Sequence, residues 1–169
     1  MGYSFTSWDS DQGTMQPGSI YRVSSSDSKV WGEENLTGKD LLCGTFVAVN
    51  ADGGIKAIES ANDLIHGIIV RDIYGDKHPN NRQINIGHFS HGDSVVALAV
   101  NDIELKRGER VYIVSTGDNA GKITNVAEGN IDLGYWVERV SNGNHCAAIT
   151  LGYAQSVRLQ QGELNNNGI

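Results

Sequence analysis

The chain is poor in proline, cysteine and aromatic residues, and it lacks long apolar runs. Of 169 residues only 2 are proline and 2 are cysteine, and aromatics make up 7%. Two cysteines, Cys43 and Cys146, without CxxC spacing exclude a disulfide scaffold and a zinc ribbon, and each sits among apolar residues that read as strand. Buried free thiols are the expectation. No stretch approaches the roughly 20 apolar residues that a membrane-spanning helix needs. The start, MGYSFTSWDSDQG, has neither a basic segment nor an apolar signal core, so synthesis in the cytoplasm without a visible export signal is expected. Clustered base is lacking too. The formal charge is -7, and the nearest basic group, Lys106 to Arg110, is broken by Gly108 and Glu109. Phosphate binding draws its affinity from massed Lys and Arg, so nucleic acid is not an expected partner, nor is a membrane.

What is abundant is glycine, 21 residues, beside 39% hydrophobic residues. That balance favours tight turns over long helices and leaves enough apolar mass for one core. The chain reads in three parts. Residues 1–40 are rich in Ser, Gly, Asp and Asn with isolated large residues, and they suggest an extended arm that drops anchors into pockets on another surface. The contact candidates are Tyr3, Phe5, Trp8, Met15, Tyr21 and Trp31; the same anchors are equally suited to covering the chain's own sheets. Residues 41–158 form the β domain, and 159–169 a mobile polar tail.

Within the β domain, CGTFVAVN and IKAI flank the Asp52-Gly53 turn as a hairpin. DLIHGIIVRD reads as a central strand, with Gly67 marking a bulge or a close backbone approach. Residues 73–82 are a polar surface loop. Val95 to Val100 is apolar on both faces, as for a strand with layers on either side, and Ile103 and Leu105 alternate after the Asn101-Asp102 turn. Val111 and Ile113 face one way, Arg110 and Tyr112 the other. IDLGYWVERV, the SNGN turn and HCAAITL add a further hairpin, and AQSVRL a further edge strand. SANDLI is the one short stretch of helical character. The expected fold is all-β: a compact antiparallel β-barrel or sandwich with an extended N-terminal arm.

Chemistry-bearing motifs are sparse. His88, His91 and Asp93 have an H-x-x-H pattern, but residues three apart on a strand point to opposite faces and zinc needs three or four convergent ligands, so no metal site is expected. Asp9 to Gly13 echoes a calcium loop without its bidentate Glu. There is no G-x-S-x-G elbow and no phosphate-cradling glycine motif, so neither catalysis nor a cofactor is expected.

The ordered segments GKDLLCGTFVAVNADGGIKAI, HGIIVRD, GDSVVALAVNDIELKRGERVYIV and GKIT, spanning residues 39–126, resemble the structural cement or capsid decoration proteins of tailed bacteriophages. The resemblance implies a non-enzymatic virion protein on the outer surface of the capsid. Its partners would be the major capsid protein and neighbouring copies of itself. The alternative reading is a carbohydrate- or receptor-binding β module of a phage fibre, using Trp8, Trp31, Tyr135 and Trp136 as stacking platforms.

Overall fold

The computed structural model describes residues 15–23, 29–72, 75–141, 143 and 145–151. Thirteen strands run through them: β1 (Ile20–Arg22), β2 (Val30–Glu34), β3 (Leu41–Leu42), β4 (Phe46–Val49), β5 (Ile55–Lys56), β6 (Ile65–Ile69), β7 (Lys77–His78), β8 (Gln83–Gly87), β9 (Ser94–Leu98), β10 (Arg110–Ile113), β11 (Ile123–Thr124), β12 (Ile131–Ser141) and β13 (Cys146–Leu151). They form a six-stranded sheet in the order β1-β9-β13-β12-β10-β11, a five-stranded sheet in the order β2-β8-β6-β4-β5, and the small pair β3-β7. All strand pairings are antiparallel. Of the two architectures expected, the molecule adopts the sandwich. The ends of the five-stranded sheet approach through one isolated parallel bridge, Asn35 to Ile55, which does not close it into a barrel.

Alternation along the strands builds two cores from one set of residues. Phe46 and Ala48 of β4, with Ile68 of β6, join Val95, Ala97, Val111, Val137, Ala147 and Ile149 of the larger sheet in the main core. The residues between them, Val47 and Ile69, turn the other way, into a second core with Leu41, Cys43, Ile55, Ile84 and Ile86. Successive side chains on a strand alternate faces, so a strand apolar at every position has to be covered on both. The same holds for β9 and β13: Val96, Cys146 and Ala148 face away from the main core and are covered by Met15. Phe46 and Tyr135 meet across the main core with ring centroids 5.6 Å apart. Both thiols are free and buried.

Several local expectations change on packing. Residues 103–105 are not a strand, although Leu105 is buried in the main core. The 73–82 loop carries β7, whose His78 and Lys77 pair with Leu41 and Leu42. SANDLI forms no helix. The Asp63 carboxylate accepts hydrogen bonds from the Glu59 and Ser60 N–H groups at 2.8 and 3.0 Å, and Lys56 Nζ reaches it at 2.7 Å, so the segment is tied as a turn. Gly67 is a site of close approach: a Cβ there would lie 2.5 Å from the Gly87 carbonyl oxygen.

Of the residues expected to form an arm, 1–14 and 24–28 lie outside those described, as do AQSVRL and the tail. The remainder is built into the sandwich. β1 pairs with β9, β2 with β8, and Asn35 is fully buried. Its side-chain amide donates to the Lys39 and Pro79 carbonyls at 3.0 and 3.2 Å and accepts from the Thr37 hydroxyl at 2.7 Å, which satisfies a buried polar group.

Candidate functional site

Three strands bring together four side chains that are distant in sequence. Trp31 and Glu33 stand on β2, His66 on β6 and His88 just beyond β8, because the ladders β2-β8 and β6-β8 set those strands side by side. The indole of Trp31 stacks on the His88 imidazole, centroids 3.4 Å apart and planes within 7°. His66 Nδ1 lies 2.9 Å from His88 Nε2, and His66 Nε2 lies 3.1 Å from the Glu33 carboxylate.

For a neutral His66 whose Nε2–H donates to Glu33, Nδ1 accepts from His88 Nε2–H, and His88 Nδ1 is left with a bare lone pair. That atom is buried without a hydrogen-bond partner. Burial, then the neighbouring His66, hold the His88 pKa down to about 4. His88 is therefore a neutral ring at physiological pH and acts as the flat base under Trp31. The backbone anchors it as well, since the His88 N–H donates to the Lys29 carbonyl at 2.7 Å.

Trp31 is 46% exposed and Tyr21 39% exposed, so both candidates stand at the surface. Ile20 and Val23 extend the apolar surface beside Tyr21 on β1. Met15 is only 4% exposed, and its side chain seals the protein's own sheet instead of standing free for a partner. Tyr3, Phe5 and Trp8 lie outside the described residues. Of the proposed stacking platforms, Trp8 lies outside the described residues and Tyr135 is not at the surface. Tyr135 is buried against Phe46, with its phenol pushed up to about 12 by burial and then by Asp93. Trp136, next along β12, has the Arg110 guanidinium 5.4 Å above its ring.

The His88, His91 and Asp93 spacing is likewise divided by the fold. His91 is exposed and bridges to Leu151, while Asp93 is buried, 2.9 Å from Lys29 Nζ and accepting from the Ser90 N–H at 2.9 Å. Among the described residues no group of three or more His, Cys, Asp or Glu side chains is placed to hold a metal ion. A cleft of about 210 Å³ between Pro17, Leu42, Cys43, Arg71, Asp76 and Leu98 contains a thiol. Burial pushes the Cys43 pKa up to about 11, so it stands as an unreactive thiol. An ion pair between Arg71 and Asp76 lies at the cleft.

Sequence reasoning missed His66, which reads as an isolated histidine in an apolar strand. Only strand register places it between Glu33 and His88, and no local spacing encodes that.

A doubly covered sandwich with surface aromatics and sheet edges at its rim is the build of a structural, contact-making protein. The chain belongs to the XM1 gp53 minor capsid protein family, whose model matches residues 5–151. It is a bacteriophage capsid-associated structural protein. A chain in the solved capsid of Myoviridae phage XM1 shares its fold with a TM-score of 0.62 at 18% identity, over 82% of this chain and 90% of that one. No curated protein matches the chain.

Proposed function

We propose that the protein binds the outside of an assembled phage capsid and cements neighbouring major-capsid subunits, stabilising the head without catalysing a reaction. The observation that carries this reading is Trp31, a large aromatic half-exposed on an end strand of a sheet, in a chain of the minor capsid family. Exposed aromatics on a rigid base lose little side-chain entropy on docking and serve well as contact anchors. Two-sided burial of β4, β6, β9 and β13 makes the body stiff, and a stiff body that contacts two subunits of a fixed lattice gains affinity by multivalency. A net charge of -7 suits the outer side of a shell whose nucleic acid lies within.

The test mixes purified protein with expanded capsids that lack it and measures saturable retention together with the temperature of capsid rupture. Saturable binding with a raised rupture temperature is expected. Absence of saturable retention would defeat the reading.

A further inference from the structure

The two sheets are one five-stranded unit used twice. In chain order, β2, β4, β5, β6 and β8 of the smaller sheet correspond to β9, β10, β11, β12 and β13 of the larger, and both sets assemble in the same spatial order. The correspondence holds residue by residue. The ladder from Trp31↔Ile86 to Glu34↔Gln83 matches the ladder from Val95↔Ile149 to Leu98↔Cys146. Ile69↔Ile86 matches Val137↔Ile149, and Val49↔Ile55 matches Ile113↔Ile123. Each unit has the same isolated parallel bridge, Asn35 to Ile55 in one and Ala99 to Ile123 in the other. Gly44 and Gly108 occupy equivalent turns, with φ of 78° and 81°, and donate to the equivalent carbonyls of Ile69 and Val137, each at 2.8 Å. Residues 30–49 and 94–113 thus align without a gap while sharing few side chains.

The units differ at one edge. In the second unit the outer side of β9 is covered by β1: the Val96 N–H donates to the Ser19 carbonyl at 2.9 Å, the Val96 carbonyl accepts from the Gly18 N–H at 2.8 Å, and Ile20 pairs with Val95. Val95 is fully buried. In the first unit Gly32 stands where Val96 does and Trp31 where Val95 does. β2 ends its sheet, and among the described residues nothing bonds the outward N–H and C=O of Gly32. The residue equivalent to buried Val95 is the half-exposed Trp31. A Cβ at Gly32 would lie 2.8 Å from the Gln83 side-chain amide, so the glycine makes room for Gln83 on the face of the sheet while its outward N–H and C=O stay at the edge.

We propose that the β2 edge at Gly32 receives an extended segment of the major-capsid subunit, added antiparallel to β2 as β1 is added to β9; this rests on the capsid-binding reading above. Main-chain hydrogen bonds to Gly32 supply the attachment, and Trp31 supplies the apolar contact. Charge selects the occupant. Glu34 is exposed beside the edge, and the chain as a whole carries -7, so a second copy meets like charge, whereas a segment of apolar residues with a Lys or Arg meets its complement. β1 itself, Ile20-Tyr21-Arg22, has that composition.

Hydrogen–deuterium exchange resolved at the single amide of Gly32, which faces away from the β2-β8 ladder, tests the proposal on the full chain, free over a range of concentrations and bound to capsids lacking it. Exchange is expected to be fast in the free protein at every concentration and about tenfold or more slower on capsids. Gly32→Pro, which removes the donor on an end strand, and Glu34→Lys are each expected to weaken capsid binding about tenfold or more. The Glu34→Lys and exchange measurements stand even where the proline variant does not fold. Capsid binding with unchanged exchange at the Gly32 amide overturns the edge and leaves the capsid reading intact. Slow exchange in the free protein overturns the capsid occupant, in favour of a second copy when it grows with concentration and of the chain's own segment when it does not. Failure of the wild type to bind capsids overturns both.

Discussion

Replacing Met15 by alanine tests whether residues 15–22 are part of the sandwich or merely lie upon it. The side chain is 4% exposed and covers Val96, Cys146 and Ala148, while the Cys146 thiol donates to the Met15 carbonyl at 3.6 Å. Truncation to alanine removes about three methylene-sized groups, each contributing about 0.8 kcal/mol when buried, and leaves a partial cavity, for a loss of about 2–4 kcal/mol. The competing anchor is the Arg22–Glu138 ion pair at 2.8 Å, whose arginine side chain is 54% exposed. Exposed pairs contribute about 0–1 kcal/mol, so Arg22→Ala is expected to cost a small fraction of the Met15 effect. With a urea m-value of about 2 kcal/mol/M, Met15→Ala lowers the unfolding midpoint by about 1–2 M, whereas the volume-conserving Met15→Leu stays close to wild type. Urea titration followed by tryptophan fluorescence and circular dichroism measures all three. A midpoint for Met15→Ala within about 0.3 M of wild type, or a larger loss for Arg22→Ala, would refute the reasoning that packing fastens this segment.

Two other perturbations follow from the geometry. Gly121 has φ of 86°, and a Cβ there would sit 2.4 Å from the Phe46 carbonyl oxygen. Gly121→Ala is therefore expected to cost about 2–4 kcal/mol, against about 1 kcal/mol for Gly108→Ala, where φ is 81° and the space is open; equal losses in urea melts would show that the close approach is not real. Native His88 titrates near 4, below the ordinary value of 6.5, so between those pH values the unfolded chain takes up a proton that the native site refuses. Stability from this group is complete above pH 6.5, falls as the pH drops toward 4, and changes no further below it; the loss is about 1 kcal/mol once solvent screening of a partly exposed ring is allowed for. His88→Gln is expected to flatten the melting temperature between pH 6.5 and 4, and an unchanged slope would exclude His88 as its source.

The sequence carried its turns and its alternation openly. Asp52-Gly53 between two alternating runs sufficed for the β4-β5 hairpin, and the unbroken apolar run at 95–100 sufficed for a strand covered on both faces, because a period of two with no polar face leaves no side for water. The candidate site was half legible. Trp31 stood out as a large residue in polar surroundings, but Met15 carried the same signal and is buried, since a single apolar residue does not record what lies beneath it.

What the chain alone determined is the all-β class, most strand positions, the buried thiols and the shortage of catalytic motifs, all of which follow from local composition and near neighbours. Only the tertiary structure decided that both sheets share one topology, that β1 covers the edge of β9, and that Glu33, His66, His88 and Trp31 meet. Strand order and register are set by which distant edges pair and by how two cores fill, and those are long-range choices that no local window of sequence contains.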